Sequence, residues 1–265
     1  QYLLHFYDIN PISHPALPNM YFHSFWNQWE FTLDTWVTSN LTPSISLLNN
    51  FINSITNSFS YCLLSNQTIK QSLLTAMCNI SSLETKSSNH VFKLLAEFSA
   101  KDNENRDRVS KIIFFNSLFS KLISNKLEIE DFHSLTYLIL SLIQYDLNFV
   151  FEVRKELDLS ILLEYLFDES INYVTRSYIA AILSSILISV KSIQMLCSEK
   201  DFLINIKNEI PKAKPQLILW LFILLKRTFE NTSIDMKLYY YDSIHYQVAT
   251  CIFHQSYECR ASAVT

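Results

Sequence analysis

The sequence predicts an all-α protein, and three observations support this prediction. Hydrophobic residues make up 49% of the 265 residues and charged residues 17%, so the chain has enough apolar side chains for a continuous core. Apolar residues recur at three- and four-residue steps along most of the chain, as they do in amphipathic helices. No stretch shows the sustained alternation of a strand, and the sequence has no glycine to form the tight turns of hairpins.

The absence of glycine also excludes several classes of function. Average usage would place about nineteen glycines in a chain of this length. Dinucleotide-binding loops and P-loops need glycine where the backbone approaches phosphate, and the nucleophile elbow of hydrolases needs small residues around a strained turn. We therefore expect no cofactor and no enzymatic activity. A helical enzyme is an alternative only if another chain supplies the cofactor or the nucleophile.

Charge and cysteine content argue against nucleic acid and against secretion. The 21 basic and 25 acidic residues give a net charge of -4, and no basic stripe typical of nucleic-acid binding is present. The longest apolar stretches, Leu217–Leu225 and Tyr178–Val190, are too short or too interrupted for a membrane span, which needs about 18 apolar residues. Five cysteines without Cys-x-x-Cys spacing predict reduced core thiols of an intracellular protein: Cys62, Cys78, Cys197, Cys251 and Cys259.

A series of helices is predicted after Pro43, which ends a helical pattern that begins at Trp26. Two polar segments interrupt the series: Glu84–Asn89 is a predicted break, and Lys101–Arg108 is a predicted loop or helix start. The predicted helices are Ile45–Leu64, Ile69–Leu83, Val91–Phe98, Ile112–Ile123, Phe132–Ile143, Phe149–Val153, Leu157–Phe167, Val174–Val190, Ile193–Cys197, Phe202–Ile210, Leu217–Phe229, Met236–Phe253 and Tyr257–Val264.

These helices recur in units of roughly 35–45 residues, the range of helical solenoid repeats. In such repeats each helix pair buries one face on the next pair. The sequence therefore predicts an armadillo/HEAT-like α-solenoid over residues 43–265. A compact helical bundle is the competing arrangement, and a long series of short helices favours the solenoid.

Two groups of side chains allow a second interpretation. His245, Cys251, His254 and Cys259 lie close together in the sequence, but their spacing matches no common zinc motif, so we expect solvated histidines, buried cysteines and no metal site. The aromatic cluster Trp26–Trp36 could be a ligand platform, although aromatic residues at helical spacing are more often core.

Three consecutive tyrosines form a candidate interface. Side chains of neighbouring helical residues point in different directions, so Tyr239, Tyr240 and Tyr241 cannot all face the core. Exposed tyrosines are enriched where proteins bind one another. The run is therefore a possible contact surface for a partner.

An N-terminal motif resembles a known family. A His-Pro-x-Leu-Pro segment is followed by a helix with paired tryptophans, and this order is similar to the end of the N-terminal region of the Raptor family, the scaffold subunit of the rapamycin-sensitive TOR kinase complex. Ser24 and Glu30 stand where that family has Pro and Asp. The residues that carry the resemblance are His14, Pro15, Leu17, Pro18, His23, Trp26, Trp29 and Asp34.

Four later segments resemble helices of the same family's armadillo region, in the same order. They are Phe92–Phe98, Arg176 with Ala180–Leu183, Pro215–Arg227 with its Trp220, and Glu258–Val264. Glycines of the family are missing here, with Lys226 where one would be expected. The landmarks of these segments are Arg176, Trp220, Arg227, Glu258 and Arg260.

The resemblance implies a non-catalytic scaffold of a TOR kinase complex. Residues 1–42 would be the trailing segment of a caspase-like region without protease activity, and 43–265 the armadillo region. Implied partners are a TOR-type kinase, kinase substrates with short signalling motifs and Rag-type small GTPases, in a larger dimeric complex. The implied location is the cytoplasm, with recruitment to the lysosomal or vacuolar surface. A generic armadillo/HEAT adaptor in transport or trafficking is the alternative.

Overall fold

The computed structural model describes residues 45–64, 68–69, 71–82, 86–113, 115–123, 127–144, 159–187, 190–198, 201–230 and 233–264. Every regular element in these ranges is a helix, which confirms the predicted all-α class. The residues of the N-terminal motif, the domain boundary predicted after residue 42 and the helix predicted at Phe149–Val153 lie outside the described residues. The chain divides into two compact units, Gln1–Leu118 and Phe119–Thr265.

In the described part of unit 1 (Gln1–Leu118), three helices pack on one another. Its described helices are α1 (Ile45–Leu64), α2 (Gln71–Ser82), α3 (Lys86–Lys101), α4 (Asn103–Ser110) and the first part of α5 (Phe115–Ile123). The helices α1, α2 and α3 contact one another, and α4 packs on α3. The rings of Phe59 in α1 and Phe98 in α3 meet edge to face, with centroids 5.5 Å apart. This geometry is favourable for an aromatic pair, in addition to the burial of two large apolar side chains.

Unit 2 (Phe119–Thr265) contains eight further described helices. Within the described ranges, no helix combines the length and the apolar character that crossing a membrane requires. The helices are α6 (Ile129–Ile143), α7 (Leu159–Phe167), α8 (Tyr173–Ile186), α9 (Val190–Ser198), α10 (Phe202–Glu209), α11 (Pro215–Glu230), α12 (Ile234–Cys251) and α13 (Tyr257–Val264).

Most predicted helix ranges agree with the structure to within a few residues, one predicted break was wrong, and one predicted helix end was misplaced. The predicted polar break Glu84–Asn89 is partly helical, because α3 begins at Lys86; a helix needs apolar residues only on the face that packs. The helix predicted at Val174–Val190 ends earlier than predicted, at Ile186, and Val190 is the first residue of α9, which was predicted at Ile193–Cys197. The segment Lys101–Arg108 contains the start of α4, where Asp102 accepts a hydrogen bond from the Asn105 backbone N–H at 2.7 Å.

Four helices of unit 2 occupy equivalent places in successive repeats. The helices α6, α8, α11 and α13 begin at residues 129, 173, 215 and 257, so each starts about 43 residues after the last. The helix α8 packs against α6 and α11, and α11 packs against α13. We call these four helices the stacked layer.

Contacts between repeats recur at the same separation in the sequence. The Tyr165 hydroxyl donates to the Leu122 carbonyl oxygen at 3.3 Å, and the Cys197 thiol lies 2.9 Å from the Tyr240 hydroxyl. Both pairs are 43 residues apart. The recurrence shows that each repeat packs on the next in a similar way, as expected for a solenoid.

The helix α8 is buried on almost all sides. A helix that is apolar around its circumference belongs to the core, and the small side chains of Ala180 and Ala181 let neighbouring helices approach. The buried hydroxyls of Ser177 and Ser184 donate to the carbonyls of Tyr173 at 2.7 Å and Ala180 at 2.8 Å, so each is satisfied inside the helix.

Candidate protein-interaction surface

Partly exposed residues line one side of the stacked layer of unit 2. They recur at helical spacing, and Tyr178 of α8 and Trp220 of α11 occupy equivalent positions in their repeats. The landmark Trp220 therefore lies on this side. We call these residues the layer surface: His133, Ser134, Tyr137, Val174, Tyr178, Gln216 and Trp220.

Three aromatic side chains of the layer surface pack on one another across two helices. The rings of Tyr137 in α6 and Tyr178 in α8 stack with centroids 5.2 Å apart and an interplanar angle of 25°. The His133 ring lies 5.3 Å from the Tyr178 ring, tilted by 33°. All three side chains keep part of their surface exposed. The stack therefore presents a rigid aromatic platform to the outside of the layer.

A chain of hydrogen bonds fixes the orientation of His133. Its Nδ1 lies 2.7 Å from the Thr175 hydroxyl. The backbone N–H of Thr175 donates to the Asn172 side-chain oxygen at 2.9 Å, and the Thr175 hydroxyl donates to the same oxygen at 3.2 Å. Asn172 is the N-cap of α8, so the residue that starts the helix also holds the histidine. Burial lowers the pKa of His133 below its ordinary value, which favours the neutral ring.

The landmark Arg176 is buried and joins three helices of unit 2. Its Nε donates to the Leu166 carbonyl oxygen near the end of α7 at 2.7 Å. Its Nη2 lies 2.7 Å from Oε1 of Glu209, the last residue of α10. Carbonyls in the last turn of a helix lack a partner within the helix. Arg176 therefore has an internal structural role, and it is not part of the layer surface.

The landmark Arg227 connects consecutive helices of the stacked layer. Its Nη1 donates to the Ser184 carbonyl oxygen near the end of α8. Unit 1 has a similar contact, in which Lys101 Nζ at the end of α3 donates to the Leu63 carbonyl oxygen near the end of α1 at 2.9 Å. In each unit, therefore, a basic side chain donates to a carbonyl at the C-terminal end of a helix. A positive charge stabilises that end, because the helix dipole makes it partly negative.

The landmarks Glu258 and Arg260 stabilise the start of α13. The Ser256 hydroxyl donates to Glu258 Oε2 at 2.6 Å, and this hydrogen bond lowers the pKa of the Glu258 carboxyl group. Arg260 Nη1 donates to the carbonyl oxygens of His254 at 2.7 Å and Gln255 at 2.8 Å. Both side chains thus make their contacts within this chain.

The three consecutive tyrosines separate into two exposed residues and one core residue. Tyr239 and Tyr241 are 55% and 61% exposed, whereas Tyr240 is 2% exposed. The Tyr240 hydroxyl contacts the Cys197 thiol, and burial raises the pKa of Tyr240. Tyr240 is therefore part of the core, whereas Tyr239 and Tyr241 lie at the surface.

The histidines and cysteines near the end of unit 2 are engaged in separate contacts. His254 Nδ1 accepts a hydrogen bond from the Ser256 backbone N–H at 3.0 Å, and His245 is exposed. Cys251 and Cys259 are buried, and burial raises the pKa of both thiols. In the part of the chain that the structure describes, no group of three or more His, Cys, Asp or Glu side chains could hold a metal ion.

The sequence did not single out the aromatic stack. His133, Tyr137 and Tyr178 carry no motif, and each is apolar or aromatic in a helix where such residues also form the core. The one available signal is the repeat length, because residues about one repeat apart on equivalent helices become neighbours in the layer. Aligning the repeats by their helix starts would have brought α6 and α8 side by side.

Solved structures similar to this chain include designed armadillo repeat proteins. The designed armadillo repeat protein YIII(Dq)4CqI has a TM-score of 0.61 at 12% identity, over 84% of this chain and 93% of its own. Computationally designed armadillo repeat proteins for modular peptide recognition give 0.60 at 14% identity, over 84% and 92%. The designed protein YIII(Dq.V1)4CPAF, in complex with peptide (KR)4, gives 0.57 at 12% identity, over 83% and 90%.

Comparison of sequences does not assign the chain to a family. No protein-family model matches the sequence, and neither does any curated protein. The recurring helices, the contacts one repeat apart and the similar structures agree with one another. The chain therefore has an all-α solenoid fold of the armadillo-repeat kind, as its sequence predicted.

Proposed function

We propose that this chain is a non-catalytic scaffold that binds other proteins through the layer surface. The observation that carries the proposal is the stack of Tyr137 on Tyr178, supported by His133. Aromatic side chains with fixed orientation and partial exposure bind a partner at low cost in conformational entropy. Tyrosine and tryptophan are also enriched among the residues that dominate binding energy at protein interfaces.

A polypeptide ligand fits the chemistry of this surface. The hydroxyl groups of Tyr137 and Tyr178 and the indole N–H of Trp220 can bond to backbone or side-chain groups, while the rings supply apolar area. Two of the similar structures are described in terms of peptides, one for modular peptide recognition and one in complex with (KR)4. Their descriptions support a peptide or protein segment as the ligand of this chain.

We further propose that the partners are those of a Raptor-like scaffold. They would be a TOR-type kinase, its substrates with short signalling motifs and Rag-type small GTPases, in a larger dimeric complex. The location would be the cytoplasm and the lysosomal or vacuolar surface. The ordered sequence motifs support this identification. A generic armadillo adaptor is the second candidate. The armadillo fold alone supports it, and it does not depend on the sequence motifs.

Affinity purification from the protein's own cells, followed by mass spectrometry, tests both levels of the proposal. The layer-surface variants are Gln216→Arg, which places a bulky charge beside Trp220, and Trp220→Ala. The matched control is Gln194→Arg, the same change at an exposed position of α9. We expect the control to retain the bound proteins and both layer-surface variants to lose at least one of them.

The identity of the bound proteins separates the two candidates. Recovery of a TOR-type kinase with the wild-type chain supports the Raptor-like scaffold. Recovery of other proteins that depend on Gln216 and Trp220 supports the generic adaptor. If the same proteins are recovered with all variants, the layer surface is not the binding site, and the proposal is wrong.

A further inference from the structure

Ser134, next to the aromatic stack, can accept a hydrogen bond from a ligand but cannot donate one. It follows His133 in α6, and its hydroxyl donates to the Glu130 carbonyl oxygen at 2.9 Å. A serine hydroxyl has one hydrogen, so only the lone pairs of Ser134 Oγ remain for a ligand. A group that binds Ser134 from outside must therefore supply the hydrogen.

The hydrogen bonds of His133 lead to the same conclusion. The Thr175 hydroxyl donates its one hydrogen to the Asn172 side-chain oxygen. The hydrogen between Thr175 and His133 is then carried by Nδ1 of the ring, which lies 2.7 Å from the hydroxyl oxygen. In a neutral imidazole with a hydrogen on Nδ1, the second nitrogen, Nε2, is an acceptor. His133 thus also offers a lone pair to a ligand.

Glu130 adds a negative charge on the same side of α6. Glu130, His133, Ser134 and Tyr137 are three or four residues apart, so they follow one face of the helix. Glu130 is exposed and precedes His133 and Ser134 by about 5 Å along the helix axis. Among the described residues, no Lys or Arg side chain forms an ion pair with its carboxylate. Its charge is therefore available to a ligand.

No positive charge on α6 or α8 opposes a cation at the stack. The two helices contain one basic residue between them, Arg176. It is buried and forms an ion pair with Glu209. Burial also lowers the pKa of His133, so the imidazole remains neutral. The faces of the Tyr137 and Tyr178 rings are electron-rich and attract cations. The charge and the ring faces thus favour the same kind of ligand.

We propose that the layer surface binds a lysine or arginine side chain of a partner polypeptide. The aliphatic part of that side chain packs on the stack of Tyr137 and Tyr178, and its charged end donates to Glu130 and the acceptors beside it. Lysine and arginine side chains have several N–H donors and no acceptor, which matches a surface that offers acceptors. An acidic side chain would be repelled by Glu130. The inference rests on the proposed function for the location of the site, and it adds the chemistry of the ligand.

Short peptides that differ at one residue provide the test. The probes have the sequence acetyl-Ala-Ser-Leu-X-Leu-Ser-Ala-amide, where X is arginine, lysine, citrulline or glutamate. Citrulline is the matched control for arginine, since it has nearly the same shape and no charge. Each peptide is titrated into the complete chain, and NMR of ¹³C-labelled tyrosine rings detects binding. The variants Tyr137→Phe and Tyr178→Phe assign the two ring signals.

We expect the arginine and lysine peptides to shift the ring signals of Tyr137 and Tyr178 at millimolar concentration or below. The citrulline peptide should bind roughly fivefold more weakly than the arginine peptide, because it has no charge to interact with the rings and with Glu130. The glutamate peptide should shift neither signal. Signals of the other tyrosines should remain in place, which also shows that the fold is retained.

Two substitutions in the protein localise the charge recognition. Glu130→Gln removes the carboxylate and keeps its size, so the preference for arginine over citrulline should fall at least twofold. The matched control is Glu164→Gln, the same change at an exposed position of α7 outside the layer surface. We expect this control to keep the full preference.

Any of three results would overturn the inference: equal binding of the arginine and citrulline peptides, a preference that Glu130→Gln leaves unchanged, or no shift of either tyrosine with the arginine peptide at millimolar concentration. The two proposals can fail separately. If Gln216→Arg and Trp220→Ala lose a bound protein but arginine and citrulline bind equally, the surface binds proteins without a cation site. If the preference is present but all variants recover the same proteins, the cation site stands and the proposed function is wrong.

Discussion

The guanidinium group of Arg176 and the carboxylate of Glu209 form an ion pair inside unit 2, with Nη2 and Oε1 2.7 Å apart and side chains 7% and 5% exposed. Removing two such charges from water costs several kcal/mol per ion. Further contacts offset part of this cost: Arg176 Nε donates to the Leu166 carbonyl, and Lys212 Nζ lies 3.6 Å from Glu209 Oε2. Arg176 therefore fixes the position of α8 relative to α10 through Glu209 and relative to α7 through Leu166.

Removing the carboxylate should destabilise the protein strongly. Glu209→Ala leaves the Arg176 charge buried without its partner, and we expect the free energy of unfolding to fall by about 3–5 kcal/mol. Replacing both residues by Met should recover most of that loss, because no charge then remains buried. Urea unfolding followed by circular dichroism measures both changes.

The matched control for this prediction is Glu169→Gln. Glu169 forms an ion pair with Lys212 at the surface, where such pairs contribute little. Its replacement should leave the unfolding midpoint unchanged. A Glu209→Ala variant as stable as Glu169→Gln would contradict the structural role given to the buried pair.

Helix positions could be predicted from the sequence because the apolar residues by which each helix packs recur at three- and four-residue steps. The helices α1 and α13 begin and end at the predicted residues. The errors arose where periodicity carries no information. The first turn of α3 consists of polar residues. The apolar run Val174–Val190 extends past the end of α8 to the first residue of α9.

The candidate site could not be predicted in the same way because its residues meet only through the stacking of repeats. Tyr137 and Tyr178 belong to different helices, and each resembles a core aromatic when its helix is considered alone. The charged Arg176 in an apolar helix was a usable signal of an internal ion pair. Its partner Glu209 could not be identified, since any of the 25 acidic residues would satisfy the sequence equally well.

Acidification should weaken the fold through His133. Burial lowers the pKa of His133 below 6.5 in the folded protein, so the unfolded chain binds a proton more readily than the folded chain. Stability contributed by the neutral ring is present above pH 6.5 and is lost as the pH falls below it. We expect the free energy of unfolding to decrease from pH 7.5 to pH 5.5.

Comparison with His133→Gln isolates this contribution. Glutamine does not titrate, so the variant should lose less stability than the wild type over the same pH interval. Urea unfolding of both proteins at the two pH values gives the difference. An equal loss in the two proteins would show that other groups cause the pH dependence.

The tyrosines of α12 should differ in their contribution to stability. Tyr240→Ala empties a buried aromatic site and should cost about 3–5 kcal/mol. Tyr240→Phe removes only the hydroxyl that contacts Cys197 and should cost about 1 kcal/mol. Tyr239→Ala, at an exposed position, should change stability by less than about 0.5 kcal/mol. Thermal and urea unfolding of the three variants would reveal this order, and comparable costs at Tyr239 and Tyr240 would be inconsistent with it.

Alkylation should distinguish the buried thiol of Cys78 from the half-buried thiol of Cys62. Burial raises the pKa of Cys78 to about 12, and the thiolate is the reactive form. At pH 8 the thiolate fraction of Cys78 is therefore on the order of one in ten thousand. Cys78 is also fully buried between helices of unit 1, so the reagent cannot reach it while the unit is folded.

Iodoacetamide labelling at pH 8, with site-resolved mass spectrometry at timed intervals, measures the two rates. We expect Cys62 to be alkylated much faster than Cys78 in the native protein. In urea the two thiols should react at similar rates, because both the burial and the raised pKa of Cys78 are lost on unfolding. Rapid native labelling of Cys78 would mean that α2 separates from α1 and α3 on the timescale of the reaction. The packing of these three helices would then be too weak to form the core of unit 1.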